Sequence, residues 1–375
     1  MAAAVVELTR ELVGIRTVNP PDEEKKAASL LAARLSDAGL EVVEHEFAPG
    51  RTSLVARTRT RAERPALCLT GHLDTVPLGG ADWSRDPFAG ETDGDRLYGR
   101  GTSDMKGGTA AIVVAAERIA SLGEGAAGLE LVLCAGEETG CEGALALAGA
   151  EGALGRCGAV LVAEPTTNYP CVAHKGVVWA DAVARGKTAH GSMPHLGENA
   201  IYKLARAVAR LEDFALEASE HPLLGMPTVS LGTFSGGINI NSVPDYATAG
   251  IDVRTVPGMS GDGVLSALAE RLGQEVELEP RVVLEAIDTD PGDDWVLDVF
   301  SVMETLIGEA PSARGLAYFT DAAALSPAYG TPPTIICGPG DAEQAHRTDE
   351  SCSMAALEAS AEGLFEIGRR WCGLS

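Results

Sequence analysis

A histidine and an aspartate two residues apart follow an apolar run, and together they are suited to binding a metal ion. Residues 67–77 read LCLTGHLDTVP, in which His72 and Asp74 come after a predicted buried strand. An imidazole can bind a metal through one ring nitrogen while a carboxylate fixes the other, as is common at metal-bound histidines. A hydrogen-bonded histidine in a capped turn explains the same pair, so these two residues alone leave both interpretations open.

A second acidic residue, Asp104, lies between glycines in the segment GRGTSDMKGG, residues 99–108. The glycines free the backbone to bring this carboxylate close to a ligand. The predicted helix that follows has spare N–H donors at its start. An aspartate that only caps this helix is an equally good interpretation.

Two adjacent glutamates, Glu137 and Glu138, follow the apolar run of residues 129–134. Like charges resist joint ionisation when they are buried, and a cation would remove that cost. Adjacent side chains can also divide the chemistry, with Glu138 binding a metal and Glu137 acting as general base on an activated water. The alternative is a pair of solvated loop glutamates.

The pattern of an apolar run followed by a metal-binding residue type recurs twice more. Glu164 follows residues 159–163, and His346 lies in a loop between a predicted strand at residues 333–337 and the last predicted helix. Two histidines and three carboxylates suit two cations that share one bridging carboxylate and a water. Borderline nitrogen and oxygen ligands favour zinc first, and manganese or cobalt next.

The elements around these residues predict an α/β protein of about two domains for a chain of 375 residues. Residues 177–287 have the order strand, helix, strand, strand, helix, strand, with helices predicted at 199–218 and 261–274. This βαββαβ order is the ferredoxin-like pattern. The sequence therefore predicts an inserted domain, residues 177–287, that divides the rest of the chain into residues 1–176 and 288–375.

Composition excludes several classes of partner. With 54 acidic and 29 basic residues the formal charge is −25, which makes nucleic acid and anionic membranes poor partners. No signal peptide or membrane-spanning segment is predicted. Eight cysteines without a C-x-x-C pair favour reduced, mostly buried thiols in the cytoplasm over a disulfide framework.

Five motifs, GHLDTVP, GRGTSDMKGG, GEETG, AEPT and AHRTDE, occur in this order along nearly the whole chain. Together they resemble the co-catalytic di-zinc metallopeptidase family of aminoacylase, acetylornithine deacetylase, succinyl-diaminopimelate desuccinylase and glutamate carboxypeptidase. The resemblance implies an amide hydrolase whose mixed-sheet catalytic domain carries an inserted lid and dimerisation domain. The implied metal ligands are His72 and Glu164 for one zinc, Glu138 and His346 for the other, and Asp104 as the bridge. Asp74 would orient His72, and Glu137 would be the general acid and base acting on the bridging water.

The same resemblance implies roles for residues outside the metal motifs. His190 matches a histidine that reaches into the partner subunit's site and stabilises the oxyanion. Asn241 and Arg254 match substrate-binding positions, although an Asx-turn and a surface ion pair are their ordinary alternatives. Gly338 and Gly340 would offer bare backbone N–H groups near the scissile bond or the substrate carboxylate.

The sequence therefore predicts a cytoplasmic homodimer that removes the acyl group from a small N-acyl amino acid, in the manner of acetylornithine deacetylase or the desuccinylase. A carboxypeptidase or dipeptidase of the same family is the first alternative. A metal-binding relative without catalytic activity is the second. A two-metal phosphoesterase is disfavoured because the motif loops contain no basic phosphate clamp.

Overall fold

The computed structural model describes residues 2–20 and 24–375, which form two compact units. Unit 1 contains the described residues up to Ala173, Asp288–Arg314 and Thr320–Ser375, and unit 2 contains His174–Ile287 and Gly315–Phe319. The division at 287 and 288 coincides with the predicted boundary. The other division lies three residues earlier than predicted, and residues 315–319 belong with the inserted unit.

The helices of the described residues are numbered in chain order. They are α1 (Ala2–Gly14), α2 (Lys25–Asp37), α3 (Lys106–Ser121), α4 (Glu142–Gly149), α5 (Ala200–Val208), α6 (Gly261–Leu272), α7 (Asp294–Ile307), α8 (Ala322–Ala328) and α9 (Met354–Cys372). Short 3₁₀ turns occur at Pro194–Leu196 and Ala209–Leu211. None of these helices is long and apolar enough to cross a membrane.

The strands of the same residues are numbered in chain order. They are β1 (Glu41–Ala48), β2 (Arg51–Arg57), β3 (Ala66–His72), β4 (Thr92–Asp93), β5 (Arg96–Tyr98), β6 (Leu129–Cys134), β7 (Cys157–Pro165), β8 (Ala173–His174), β9 (Gly176–Arg185), β10 (Ala189–His190), β11 (Thr228–Gly236), β12 (Ser242–Val243), β13 (Tyr246–Thr255), β14 (Glu277–Leu284), β15 (Ile287–Asp288), β16 (Gly315–Leu316), β17 (Thr334–Gly338) and β18 (Ser351–Ser353).

Unit 1 is built on a six-stranded mixed sheet with the order β1-β2-β6-β3-β7-β17. Strands β6, β3, β7 and β17 are parallel, and β1 and β2 are antiparallel to their neighbours. The central strands β3 and β6 are buried along almost their whole length, as their continuous apolar runs predict. The carboxyl ends of these four parallel strands therefore lie at the same edge of the sheet.

Two backbone pairings in unit 1 bring distant parts of the chain together. Strand β5 pairs with β18 in antiparallel fashion, with Tyr98 opposite Ser351. The N–H of Thr289 donates to the carbonyl oxygen of Val172 at 2.9 Å, so the chain leaves and re-enters unit 1 at adjacent points. The inserted residues therefore begin and end side by side.

Unit 2 is a four-stranded antiparallel sheet with the order β11-β13-β9-β14. Burial alternates strictly along β13, which places one face of the sheet in a core and the other toward the outside. Apolar residues of α5 and α6 pack with the buried residues of β9 and β13 in one cluster. Both helices therefore cover the same face, and β11 is an edge strand whose residues are mostly exposed.

The helix predicted for residues 199–218 is too long. Helix α5 ends at Val208, and after one 3₁₀ turn the chain is no longer helical. Arg271 Nε donates to the carbonyl oxygen of Arg210 at 2.6 Å, which uses an acceptor that a continuing helix would need. Phe214 and Leu216 then pack against the core of unit 2 from a non-helical segment.

Helix α2 is described from Lys25 to Asp37, and the acidic residues Asp22 and Glu23, a type favoured at the start of a helix, lie outside the described residues. All eight cysteines are buried and free, as predicted from their spacing.

Candidate metal centre

Three neighbouring parallel strands bring metal-binding residue types to one edge of the unit 1 sheet. His72 is the last residue of β3, which lies between β6 and β7. Glu164 lies near the end of β7, and Glu137 and Glu138 follow shortly after the end of β6. Because parallel strands end at the same edge, residues far apart in sequence gather there.

Asp104 lies between the two predicted histidine ligands, and each of its carboxylate oxygens faces one of them. Oδ1 is 3.1 Å from His72 Nε2, and Oδ2 is 3.2 Å from His346 Nε2. The residue that caps helix α3 is Met105, to which Asp104 is joined by a cis peptide bond. The Asp104 side chain thus faces the histidines instead of capping the helix, and a carboxylate so placed can bridge two cations.

Each histidine has one further carboxylate beside it. Glu164 Oε1 is 3.8 Å from His72 Nε2, and Glu138 Oε2 is 3.1 Å from His346 Nε2. The His72 side chain is buried, whereas that of His346 is 55% exposed. His346 also has φ +62°, a left-handed conformation that is uncommon for a residue with a side chain. The five predicted ligands therefore lie together, as two pairs joined by Asp104.

Asp74 is fully buried behind His72 and binds two segments of the centre. His72 Nδ1 lies 3.0 Å from the Asp74 carbonyl oxygen and 3.5 Å from Oδ1. The two carboxylate oxygens accept the backbone N–H groups of Glu137 and Glu138, each at 3.1 Å. Oδ2 also accepts from Asn19 Nδ2 at 2.5 Å. Asp74 therefore fixes both the ring of His72 and the backbone of the adjacent glutamates.

The buried carboxylates repel one another and attract the imidazoles. Burial, with the charges of Asp104 and Glu138, raises the pKa of Glu164 well above its ordinary value. Burial and the charge of Asp104 raise the pKa of Glu138 to about 7. Hydrogen bonds to Asp104 and Glu138 raise the pKa of His346 to about 10. Burial opposes a charged His72, but hydrogen bonds to Asp104 and its other acidic neighbours raise its pKa overall. The centre is thus strongly selective for positive charge.

The donor set fits divalent cations. Within the described residues, Glu138 Oε1 is buried without a hydrogen-bond partner, although buried polar atoms normally have one. Two groups of three side chains are each close enough to bind one cation, because within a group the three donor atoms lie within 4.8 Å of one another. The groups are His72 with Glu137 and Glu164, and His72 with Asp104 and Glu138. Imidazole nitrogen with carboxylate oxygen is a donor set typical of zinc, and it also suits manganese and cobalt.

Glu137 is buried next to the ligands, with 6% of the residue exposed. Burial raises the pKa of its carboxyl group well above the ordinary value; the charge of His72 acts in the opposite direction, and Glu164 and Glu138 add to the rise. Cys141 Sγ lies 4.0 Å from Glu137 Oε1. A carboxyl group with a raised pKa can accept and return a proton near neutral pH, which is the property a general acid and base requires.

His190 and Asn241, both predicted for the inserted domain, are neighbours within unit 2. Strand β10 pairs with β12, and the N–H of Gly191 donates to the carbonyl oxygen of Asn241 at 2.7 Å. His190 is exposed, and its Nδ1 lies 2.8 Å from Ser192 Oγ. The structure therefore places these two residues on one exposed part of unit 2. The catalytic role of His190 and the substrate-binding role of Asn241 stay predictions.

Arg254, the third residue predicted for the inserted domain, is paired within its own strand. Its Nε and Nη2 donate to the Asp252 carboxylate at 2.9 and 3.0 Å, and its guanidinium lies over the Phe319 ring at 5.2 Å from the centroid. An ion pair of this kind was the alternative to substrate binding that the sequence left open for Arg254. A role in binding a substrate carboxylate stays a prediction for Arg254.

Close backbone packing accounts for both glycines predicted to bind substrate. A Cβ on Gly338 would lie 2.1 Å from the Ala163 carbonyl oxygen, and a Cβ on Gly340 would lie 2.2 Å from that of Ser103. The N–H of Gly338 donates to Thr166 Oγ1 at 3.1 Å. The prediction of a bare N–H at Gly338 is therefore wrong, whereas a substrate contact at Gly340 stays a prediction.

Three residues that support the centre were not predicted. Asn19 binds Asp74, and Arg100 and Glu350 bind each other beside the loop that contains Asp104. Asn19 lies in a Pro-rich stretch that predicts only a turn. Glu350 ends the AHRTDE motif, and Arg100 lies between two glycines, but neither position indicates that their side chains would meet in a buried pair.

The mixed sheet and the donor set at its edge are those of an α/β protein suited to bind metal ions. Residues 68–369 match the model of the peptidase family M20/M25/M40. The chain therefore belongs to this family, and it is a hydrolase of amide bonds.

Two relatives agree with this membership. The chain is 32% identical to an acetylornithine deacetylase of Vibrio campbellii, with 92% of each chain covered. It is 30% identical to a probable succinyl-diaminopimelate desuccinylase of Staphylococcus epidermidis, again over 92% of each chain.

Its fold is similar to that of an M20 family metallo-carboxypeptidase from Sulfolobus solfataricus, with a TM-score of 0.85, 18% identity and 99% of each chain covered. A dinuclear metal-binding M20 peptidase from Bacillus subtilis is also similar, with a TM-score of 0.70, 16% identity, and 100% of this chain and 99% of the other covered.

Proposed function

We propose that the protein is a di-zinc deacylase that hydrolyses the amide bond of a small N-acyl amino acid. The observation that supports this most directly is Asp104, whose two oxygens face two different histidines while Glu137 lies buried beside them. The relatives named as a deacetylase and a desuccinylase favour an acyl group on an amino acid as the substrate class. Eight buried free thiols fit a reducing, cytoplasmic location.

In this proposal the five ligands hold two cations, with cobalt or manganese as possible substitutes for zinc. His72 and Glu164 hold one, Glu138 and His346 hold the other, and Asp104 contributes an oxygen to each. The dinuclear site named for the Bacillus subtilis peptidase supports two cations here as well. When bound, the cations supply Lewis acidity at the amide carbonyl and make water at the centre more acidic.

Glu137 moves the proton in the proposed reaction. One of its carboxylate oxygens accepts a proton from the attacking water, and the same group then donates that proton to the leaving amine. Burial favours the protonated form between these two events, which is consistent with the raised pKa of Glu137. Asp74 keeps the Glu137 backbone in place through the N–H that it accepts.

We further propose that unit 2 is a ferredoxin-like lid and dimerisation domain. Its βαββαβ element order and antiparallel sheet support this assignment. Strand β11 is an edge strand, and Leu231 and Phe234 on it are large apolar side chains with 41% and 45% exposure. An unpaired edge with exposed apolar residues is suited to pairing with a second copy of the chain.

In such a dimer His190 would stabilise the oxyanion at the partner subunit's centre. Its exposure, and that of the loop next to it, support this role, because Ile238 and Ile240 are almost fully exposed. Asn241 would bind the substrate from the same loop. Arg254 would contribute to recognition of the substrate carboxylate.

The test is hydrolysis by the zinc-loaded enzyme of a panel of N-acetyl, N-succinyl and N-carbamoyl amino acids and dipeptides. We expect turnover on one N-acyl class that is lost with chelator and restored by zinc or cobalt. Glu137→Gln is expected to abolish turnover and to keep two zinc ions per chain by metal analysis, since it removes the base but no predicted ligand. Full activity in chelator would contradict the metal mechanism, and turnover confined to dipeptides would favour the peptidase alternative.

A further inference from the structure

Glu350 is a fully buried glutamate four residues after His346, and its carboxylate is saturated with N–H donors. Oε2 accepts from Arg100 Nη1 at 2.7 Å and from the N–H of Gly101 at 2.9 Å. Oε1 accepts the N–H groups of Ser103 and Asp104 at 2.8 and 3.0 Å. Three of these four donors are backbone groups of the loop that ends at Asp104, so one carboxylate fixes the conformation of that loop.

The pairing of β5 with β18 explains how residues 250 positions apart meet. Residue 99 follows the end of β5, residue 350 precedes the start of β18, and the N–H of Gly99 donates to the Glu350 carbonyl oxygen at 2.9 Å. Ser103 Oγ also donates to the Ser351 carbonyl oxygen at 3.0 Å. The loop containing Asp104 and the loop containing His346 therefore leave the same end of one strand pair.

Arg100 extends this connection to the backbone next to His346. The guanidinium is buried, and besides Glu350 it donates from Nη1 to the Arg347 carbonyl oxygen and from Nη2 to that of Pro77, each at 3.1 Å. His346 needs such support because its φ of +62° is unfavourable for a residue with a side chain. The buried pair of Arg100 and Glu350 thus holds Arg347 and Pro77 against the loop that contains Asp104.

We propose that Glu350, together with Arg100, is a positioning pair that presents Asp104 and His346 to the second cation as one preformed unit. The proposal rests on the two-cation function given above. Glu350 is not itself a ligand, because its two oxygens are occupied by four N–H groups. Because Glu350 already holds the loops of Asp104 and His346 in place, these loops do not have to become ordered when the cation binds. Residues that hold metal ligands in position commonly alter metal affinity.

Stepwise zinc binding by the metal-free full-length protein tests this proposal, measured by competition with a chromogenic chelator. Wild type is expected to bind two zinc ions. In Glu350→Gln the side-chain NH2 group faces backbone N–H groups, and two donors cannot hydrogen-bond to each other. The zinc-binding step at Glu138 and His346 should therefore weaken by about 10–100-fold. The other step, at His72 and Glu164, shares Asp104 but does not use His346, so it should weaken less.

Glu130 offers a matched control, because it is also a buried glutamate with an arginine and a backbone partner. It accepts from Arg57 Nε at 2.5 Å, from the N–H of Gly155 at 3.0 Å and from the Tyr329 hydroxyl at 2.6 Å, near the start of β6 and away from its carboxyl end. Glu130→Gln is expected to lower thermal stability and to leave both zinc-binding steps unchanged.

Arg100→Lys is the second variant, and it also covers the case in which Glu350→Gln does not fold. Lysine keeps the positive charge, but its single ammonium group cannot reach the three acceptors that the Arg100 guanidinium binds. The same zinc-binding step should therefore weaken. The proposal is overturned if the folded Glu350 or Arg100 variant binds both zinc ions as wild type does, or if Glu130→Gln weakens the same step equally. Wild type that binds fewer than two zinc ions would instead refute the two-cation function itself.

Discussion

Replacing Asn19 by alanine tests how far the centre depends on residues that do not touch the cations. Asn19 is 2% exposed, and its Nδ2 donates to the buried Asp74 carboxylate at 2.5 Å. That carboxylate in turn holds the ring of His72 and the N–H groups of Glu137 and Glu138. Loss of the Asn19 donor therefore leaves a buried charge with one hydrogen bond fewer.

The size of the effect follows from the charge of the acceptor. A hydrogen bond to a charged group contributes about 1.5–3 kcal/mol, so Asn19→Ala should lower the free energy of unfolding by about 2 kcal/mol. Without this hydrogen bond the Asp74 side chain is less fixed and orients His72 less firmly. Zinc binding should therefore also weaken by about 10–100-fold, as is usual when a residue that orients a metal ligand is altered. Denaturant unfolding of the metal-free protein and zinc competition titrations measure the two effects separately.

Asn168 provides the control for this experiment. It is also buried, its Nδ2 donates one hydrogen bond, to the Ala356 carbonyl oxygen at 2.8 Å, and its φ is +61°. Asn168→Ala loses a neutral hydrogen bond and adds backbone strain, which together should also lower stability by about 2 kcal/mol. Zinc affinity should not change in this variant. Equal zinc affinity in both variants and wild type would refute the reasoning about Asp74.

Three further predictions concern stability and assembly. Burial lowers the pKa of His174 to about 4, from 6.5 in the unfolded chain, so the unfolded state binds more protons between these values. The free energy of unfolding should fall by about 3 kcal/mol from this group as pH falls from 6.5 to 4, and His174→Gln should remove that part of the slope in denaturant titrations. Gly338→Ala should destabilise the fold by about 1–3 kcal/mol through overpacking, whereas Gly149→Ala, in open space on a helix, should stabilise it by up to about 1 kcal/mol in the same assay. Dimers of Glu137→Ala subunits and dimers of His190→Ala subunits should each be inactive. When the two kinds of subunit reassociate at random, about a quarter of wild-type activity should return, because one of the two sites in each mixed dimer is intact. No recovery in verified mixed dimers would contradict the action of His190 across the interface.

The strand-end residues of the centre were predictable because their positions depend on local sequence. His72 and Glu164 follow apolar runs that are long enough to be buried strands, and parallel strands must end at a common edge. The adjacent pair Glu137 and Glu138 was informative for a related reason, since two buried like charges need a cation. The prediction of an α/β fold with a mixed sheet followed from the same elements together with the family motifs.

Residues whose roles depend on tertiary contacts were not predictable. Arg100 and Glu350 meet only because β5 and β18 pair, and strands of three residues are too short for periodicity to reveal. The early end of α5 depends on Arg271, which takes up a backbone acceptor from another helix. A free N–H was wrongly predicted at Gly338 because a motif cannot distinguish a glycine needed for close packing from one needed for a free N–H.

The hydrogen bond between Thr289 and Val172 has a consequence for how this enzyme could change over evolution. All the proposed metal ligands, and Asn19 and Glu350 behind them, lie outside residues 174–287. Since that segment starts and finishes at neighbouring points of unit 1, exchanging it between homologues, together with residues 315–319 of the same unit, would keep every proposed ligand in the chain. Chimeras that join unit 1 to the corresponding segments of a desuccinylase or a carboxypeptidase would therefore show whether unit 2 determines the substrate preference.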